Sequence, residues 1–263
     1  SAGGRGPELR VLPQPSLGTR TDRVWLSLRL CVFASLRFSC SSQADSRARA
    51  RVRAGRGTGI GTLIRDTIPA AMEHVELWMV RHGETTRSVN REIAGWSNPP
   101  LTAKGRAEAA AVAERLVGTT FHGVWSSDLD RARESARLAG FEATADQRLR
   151  ELDFGDFEGR PFEALGDLLH QVRYHFKDFA IAGGETRDGF QQRVESFLDE
   201  LPAGRHLLFV HGGVIRAVTQ DLGVDRFVVT GSVVGVDWSG RAILFVDEPE
   251  DSQPVFAPAP PEE

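Results

Sequence analysis

Two stretches decide how this chain is read: Trp78-Met79-Val80-Arg81-His82-Gly83-Glu84-Thr85 and Leu207-Leu208-Phe209-Val210-His211-Gly212-Gly213. Each is a short apolar-rich run closed by a histidine and a glycine, with Arg81 standing before the histidine in the first. A continuous apolar run of this length predicts a strand covered on both faces, the kind found in parallel sheets. Helical patterns fill the intervals. Thr102 is placed to cap a helix running through Leu116, with Gly118 stopping it. Val124-Trp125 reads as a second short strand, after which Asp128 is expected to cap a helix Leu129–Leu138 that Gly140 ends. Leu165, Leu168, Leu169, Val172 and Phe176 recur at helical spacing, as do Phe190, Val194, Phe197, Leu198 and Leu201. A helix Val214–Leu222 follows the late histidine. Val233–Trp238 and Arg241–Val246 flank Ser239-Gly240 and predict a hairpin. The alternation argues for a three-layer α/β/α sandwich, a mostly parallel central sheet with helices on both faces. Ligands collect beyond the carboxyl ends of strands in such sheets, so His82 and His211 should share one crevice. Gly83, Gly212 and Gly213 would let backbone amides approach a ligand there.

Outward from these stretches the composition is uneven. The 263 residues carry a net charge of −4, with 41% hydrophobic and 26% charged residues, which excludes a collagen-like or wholly disordered chain. No eighteen-residue apolar run exists, so no spanning helix is expected. Two cysteines, Cys31 and Cys40, exclude a disulfide framework and a cysteine-rich zinc site. Residues 1–71 hold 12 arginines, no lysine and 4 acids. This Arg-rich leader reads as disordered or as a non-native upstream segment, with Met72 as the start of the domain. A secretory signal is disfavoured because Arg29 and Arg37 interrupt the apolar stretch, and a transit peptide fits the composition only loosely. Nucleic-acid binding could arise only through residues 1–71, and no aromatic residues interleave their arginine run. Residues 247–263 carry six acids, no bases and five prolines, an acidic tail expected to be disordered. The folded domain is therefore expected at 72–246, with no internal repeats and a cytoplasmic location.

Further blocks follow in order. They are Gly95-Trp96-Ser97, Pro100-Leu101-Thr102-Ala103-Lys104-Gly105, Trp125-Ser126-Ser127-Asp128-Leu129-Asp130-Arg131-Ala132, Leu149-Arg150-Glu151-Leu152-Asp153-Phe154-Gly155-Asp156-Phe157-Glu158-Gly159, and Gly183-Gly184-Glu185-Thr186. With Arg81-His82-Gly83-Glu84-Thr85 and the late His211-Gly212-Gly213, the chain resembles the histidine phosphatase superfamily, with its phosphoglycerate mutase-like fold. The resemblance covers 75–246 and none of 1–71.

The resemblance implies phosphoryl transfer, which needs a nucleophile, a cationic cradle and a proton donor for the leaving group. His82 would be the nucleophile, attacking through a neutral ring nitrogen while a nearby carbonyl holds the other. Arg81 and Arg131 would grip the phosphate, since guanidinium forks match its geometry. His211 would complete the cradle, protonated once phosphate is bound, and the Gly212 amide would add a donor. Glu151 would protonate the leaving oxygen and then take a proton from water, a role that asks for a raised carboxyl pKa. Asp153, Asp156 and Glu158 lie close enough in sequence to be mistaken for it. Thr85, Ser88 and Trp96 join the expected substrate-binding set, although Trp96 has a plain packing reading as well. His74, His122, His170, His175 and His206 have no motif support and read as surface or structural residues. Glu185 is expected to orient the site or cap the following helix. No metal and no organic cofactor are implied.

One residue departs from the family pattern. Asn is usual seven residues after the motif arginine, and Ser88 stands there. Ser keeps one hydrogen bond at shorter reach, so activity should be weakened by about 1 kcal/mol rather than abolished. Asn90 is a candidate substitute, and Arg87, in place of a frequent aromatic, would add positive charge. Only 59 residues separate Glu151 from His211. Cofactor-dependent mutases of the family carry a long insertion there. The chain therefore resembles the compact bacterial phosphatases, α-ribazole-5′-phosphate phosphatases among them, with Pro161–Ala182 setting substrate choice through Arg173, His175 and Lys177. The expected partner is a small-molecule phosphate ester, with inorganic phosphate as product, no membrane, and a homodimer left open. A phosphoglycerate mutase-type transferase and a non-catalytic phospho-ligand binder stand as alternatives.

Overall fold

Val75–Arg81 forms β1 at the centre of a six-stranded sheet in the computed structural model of the chain, which describes residues 74–249. The readings made of residues 1–71, of Met72 and of the tail from residue 250 onward lie outside the described residues. The remaining strands are β2 (Gly123–Ser127), β3 (Thr144–Asp146), β4 (Gly204–Val210), β5 (Val233–Asp237) and β6 (Ala242–Asp247), arranged in the order β3-β2-β4-β1-β5-β6. β1, β2, β3 and β4 run parallel, and the β5–β6 hairpin attaches antiparallel to β1. This is the expected α/β sandwich with a mostly parallel sheet.

The apolar runs form strands because both faces find cover. Leu77 and Met79 of β1 join Leu208 and Val210 of β4 under α5 (Arg187–Leu198) and α6 (Gly212–Thr219), where Phe190, Val194, Val214 and Ile215 close the layer. Val80, Leu207 and Phe209 point the other way, towards Val112 of α2 (Ala103–Arg115) and Ala136 of α3 (Asp130–Leu138). Each such side chain contributes about 1.5–3 kcal/mol by leaving water.

Side-chain caps set the starts of α2 and α5, whereas α3 starts without the one expected of it. Thr102 Oγ1 accepts the Gly105 amide at 2.9 Å and Thr186 Oγ1 accepts the Gly189 amide at 3.1 Å. Asp128 does not cap α3, contrary to the sequence reading. Its carboxylate takes the Arg150 guanidinium in a two-pronged pair at 2.7 and 2.5 Å, and Leu129 stands at the N-cap without a side-chain bond. A charge-assisted fork is stronger than a bond to a neutral amide, so the arginine wins the carboxylate.

The expected helix through Leu165–Phe176 is also broken. A 3₁₀ turn spans Phe162–Leu165, a single α turn α4 spans Leu168–His170, and a π turn spans Gln171–His175. Gly166 and Phe176 sit at φ +54° and +48°, which a continuous helix excludes. β3 and the short α1 (Thr86–Asn90) were not anticipated. β3 is a three-residue edge strand with no apolar pattern to betray it.

Candidate active site

The register of the sheet assembles the site. Arg81 pairs with Val210 across the parallel β1–β4 ladder, so His82 and His211 leave adjacent strand ends side by side, with ring centroids 5.1 Å apart. Gly83 lets this turn pass close to α2, since a Cβ there would collide with the Gly105 carbonyl. The turn is further fixed by Ser135 Oγ, which accepts the Gly83 amide at 3.2 Å.

His82 is held ready in one tautomer. Its Nδ1–H donates to the Gly83 carbonyl at 2.8 Å, which leaves Nε2 as the unprotonated, nucleophilic nitrogen. Arg131 Nε–H donates to that Nε2 at 3.2 Å. Burial, and then the charges of Arg131 and Arg81, hold the His82 imidazole well below its ordinary pKa and therefore neutral. His211 is fully buried, and burial followed by Arg131 and His82 pushes it down in the same way. Both of its ring nitrogens, and Arg81 Nε, are buried without a hydrogen-bonding partner among the described residues. Orphaned polar atoms of this kind are costly unless a ligand meets them. Two cations and two imidazoles around one point make that ligand an anion.

The cations are anchored from behind. Arg131 on α3 donates through Nη1 to the Ser97 carbonyl at 2.7 Å and through Nη2 to the Gly95 carbonyl at 2.8 Å. Burial lowers its pKa to about 10, which leaves it charged at neutral pH. Arg81 donates to the Val228 carbonyl. The 94–97 loop that supports Arg131 is itself clamped by Glu158, whose two oxygens accept the Trp96 amide at 2.6 Å and the Ser97 amide at 2.9 Å. Arg87 does not line the cleft, but it does add positive charge near it, which acts on Arg131. It donates to the Ile93 carbonyl at 3.1 Å and to Ser97 Oγ, and so braces the same loop.

Among the four carboxylates of the 151–158 block, only Glu151 lines the cleft. Its oxygens accept the Leu152 amide at 3.0 Å and the Gly213 amide at 3.2 Å. Gly213 has to be glycine for this contact, because a Cβ would strike the carboxylate. Asp153 caps the Gly155 amide at 2.9 Å, Asp156 is exposed, and Glu158 serves the loop. The Glu151 backbone carbonyl accepts Trp96 Nε1–H at 2.8 Å and Arg193 Nη2–H at 3.1 Å. Trp96 therefore supports Glu151 from the side instead of lining the cleft. Glu185 grips the same Arg193 at 2.7 and 2.8 Å, which is the orienting role expected of it.

Three further expectations shift. Ser88 lines the cleft, but its hydroxyl is committed to the start of α1: it accepts the Thr85 amide and donates to the Thr85 carbonyl, both at 2.8 Å. Asn90 does not replace it, being exposed and directed at Glu92. Of Arg173, His175 and Lys177, only Arg173 reaches the cleft; the other two are exposed on the far side of the turn. Gly212 lies against the Arg81 guanidinium, and the Gly213 amide, at the cleft lining, is spent on Glu151.

The cleft encloses about 810 Å³, open solvent included. One end is the cationic floor of Arg81, His82 and Arg131 with Thr85, Ser88 and Glu151. The other end is apolar and aromatic, built from Leu152, Phe154, Phe162, Val172, Phe176 and Phe227. The sequence blocks carried no sign of that wall, because its residues come from four separated segments. Among the described residues no cluster of three or more His, Cys, Asp or Glu could hold a metal, and no helix is long and apolar enough to cross a membrane.

The profile of the histidine phosphatase superfamily (branch 1) matches residues 77–227. A Salmonella choleraesuis protein named "Probable phosphoglycerate mutase GpmB" is 38% identical over 150 residues, covering 52% of this chain and 70% of its own. The crystal structure of TTHB049 from Thermus thermophilus is 42% identical, covers 66% of this chain and 99% of that one, and superposes with a TM-score of 0.61. An Escherichia coli K-12 structure described as "a putative alpha-ribazole-5'-P phosphatase" is 26% identical, covers 66% of this chain and 97% of that one, and has a TM-score of 0.58.

Proposed function

The chain belongs to the histidine phosphatase superfamily, branch 1, and on that premise we propose that it is a metal-independent phosphomonoesterase working through a phosphohistidine on His82. The observation that carries this reading is the pair of buried imidazoles, His82 and His211, 5.1 Å apart, beside buried atoms of Arg81 and His211 that have no partner among the described residues, with His82 Nε2 met by Arg131 alone.

The phosphoryl dianion takes the place those atoms leave open. Its charge raises the His211 pKa, so that the imidazole takes up a proton and donates to a phosphoryl oxygen. Arg131 Nε–H turns from His82 Nε2 to another oxygen and frees the lone pair. His82 Nε2 then bonds to phosphorus as the ester P–O bond breaks, and Glu151 delivers a proton to the departing oxygen. In the second half, Glu151 takes a proton from the water that attacks phosphorus, the P–N bond breaks, and inorganic phosphate leaves. Charge developing on the equatorial oxygens is met by donors already in position.

The apolar end of the cleft favours a phosphomonoester with a ring-bearing body, and α-ribazole-5′-phosphate is a candidate of that kind. A phosphoglycerate mutase reading draws support from the names of several relatives. The apolar residues Leu152, Phe154 and Phe162 offer nothing to the carboxylate of a phosphoglycerate, for which Arg173 is the cation at hand in the lining. Hydrolysis of p-nitrophenyl phosphate in excess chelator tests the proposal, with wild type expected to outpace His82→Ala by several orders of magnitude and to form an acid-labile phosphoenzyme. Equal, slow turnover by both proteins overturns it, and phosphoryl exchange between phosphoglycerates would favour the mutase.

A further inference from the structure

Two arginines rank among the largest fully buried side chains of the described residues, Arg131 and Arg216, each 1% exposed. The phosphate cradle uses Arg131 and leaves Arg216 without a task. Arg216 lies on α6, five positions after His211, and does not line the cleft. Its Nη1–H donates to the Arg173 carbonyl at 2.6 Å and, at 3.5 Å, to that of Val172. Its Nη2–H donates to the Tyr174 carbonyl at 2.7 Å, and its Nε–H donates to Asp225 at 2.7 Å. The next two carbonyls are met in the same manner. Gln220 Nε2–H donates to His175 at 2.7 Å, and Arg187 Nε–H donates to Phe176 at 2.9 Å. Five successive carbonyls at the end of the Gln171–His175 turn, groups that a helix end leaves orphaned, are thus all capped by side chains. Arg216 supplies three of those five caps.

The same guanidinium lies 5.0 Å from the ring centroid of Phe176 and 4.9 Å from that of Phe227. Val172, Phe176 and Phe227 belong to the apolar wall of the cleft. Arg216 is therefore in contact with the back of the surface that faces a substrate's organic body, while its helix begins at the histidine facing the phosphate. Its one carboxylate partner, Asp225, is partly exposed, so carbonyl dipoles and ring faces supply most of its environment.

We infer that Arg216 is a positioning residue that holds the apolar wall at a fixed distance from the phosphoryl cradle and so sets affinity for a ring-sized, apolar substrate body. The inference rests on reading the cleft as a phosphomonoester site. Removing the guanidinium leaves three carbonyls, buried or half-buried, without that donor, and the turn then rearranges to reach water. Val172 and Phe176 move with it. The phosphate cradle stands on β1, α3 and the start of α6, none of them part of this turn, and stays in place.

The test compares two probes by calorimetry, inorganic phosphate and the non-hydrolysable 1-naphthyl phosphonate, alongside steady-state hydrolysis of 1-naphthyl phosphate. In Arg216→Met, Kd for the phosphonate and KM for the ester should rise about tenfold, while Kd for phosphate and kcat stay within about twofold. Arg216→Lys, which keeps the charge and some donors, should recover part of the loss. If Arg216→Met does not fold, Asp225→Asn loosens the same arm without emptying the interior and should weaken phosphonate binding alone, by a smaller factor. Equal weakening of both probes, a fall in kcat at constant KM, or no change in any variant overturns the inference. A wild-type protein that binds both probes but hydrolyses nothing overturns the phosphatase reading and leaves the Kd comparison decisive for Arg216.

Discussion

Replacing His211 by Leu should make the ligand-free protein more stable while abolishing its activity. His211 is fully buried, and both ring nitrogens lack a partner among the described residues. A buried polar group left unpaired costs about 1–3 kcal/mol, and Leu, close to His in volume, removes that cost without opening a cavity. The gain corresponds to a Tm rise of roughly 2–4 °C per kcal/mol for a domain of this size. The pH dependence supplies a second, independent magnitude. His82 and His211 both have pKa values pushed well below the ordinary histidine value by burial and neighbouring arginines. Above pH ~6.5 they are neutral whether folded or unfolded and contribute nothing to pH dependence. Below that, the unfolded chain takes up protons that the native protein refuses, so stability falls as pH falls. Each histidine contributes a slope of about 1.4 kcal/mol per pH unit, so the pair contributes about 2.7. His211→Leu should bring this part of the acid-side slope down to about 1.4 kcal/mol per pH unit. Guanidinium unfolding between pH 5 and 8, with and without phosphate, measures both quantities. Added phosphate should stabilise wild type strongly and the variant weakly. A variant less stable than wild type at pH 7, or an unchanged acid slope, would refute the reasoning that His211 is an unpaired, neutral anion donor.

Other outcomes follow from the same geometry. Gly213→Ala should displace the Glu151 carboxylate and lower turnover of alkyl phosphates by about 10²–10⁴-fold, with a smaller loss for p-nitrophenyl phosphate, whose leaving group needs little protonation. Equal losses on both substrates would place the damage elsewhere. Glu158→Gln keeps the shape but can accept only one of the two amides it now holds, so the Gly95 and Ser97 carbonyls should loosen their hold on Arg131. A loss of about 1–3 kcal/mol in transition-state binding is expected, read as kcat/KM at unchanged far-ultraviolet circular dichroism. Ser88→Asn should raise kcat/KM by up to about tenfold through one added hydrogen bond and lower stability by about 1 kcal/mol through loss of the Ser88 hydroxyl's bond to the Thr85 amide, one half of the α1 capping box. Steady-state kinetics and thermal melts of the same preparation check both signs.

The sequence by itself determined the parallel sheet and the two histidines at adjacent strand ends. Apolar-rich runs such as Val75–Val80 and Leu207–Val210 admit few other structures, and glycines directly after both histidines mark close backbone approach. It also singled out Arg81, Arg131 and Glu151, because each stands in a block of fixed order. The tertiary structure alone decided what depends on contacts between distant segments. Asp128 faces a choice between a backbone amide and Arg150, and only the fold brings Arg150 within reach. Ser88 and Thr85 spend their hydroxyls on each other, which a residue type cannot announce. The break at Gly166 and Phe176 converts an expected helix into a turn whose carbonyls need donors from α5 and α6. The apolar wall and the buried Arg216 behind it exist only when four chain segments meet. Periodicity reports which residues leave water, but a hydrogen-bond partner distant in sequence is chosen by distance, and distance is a property of the fold.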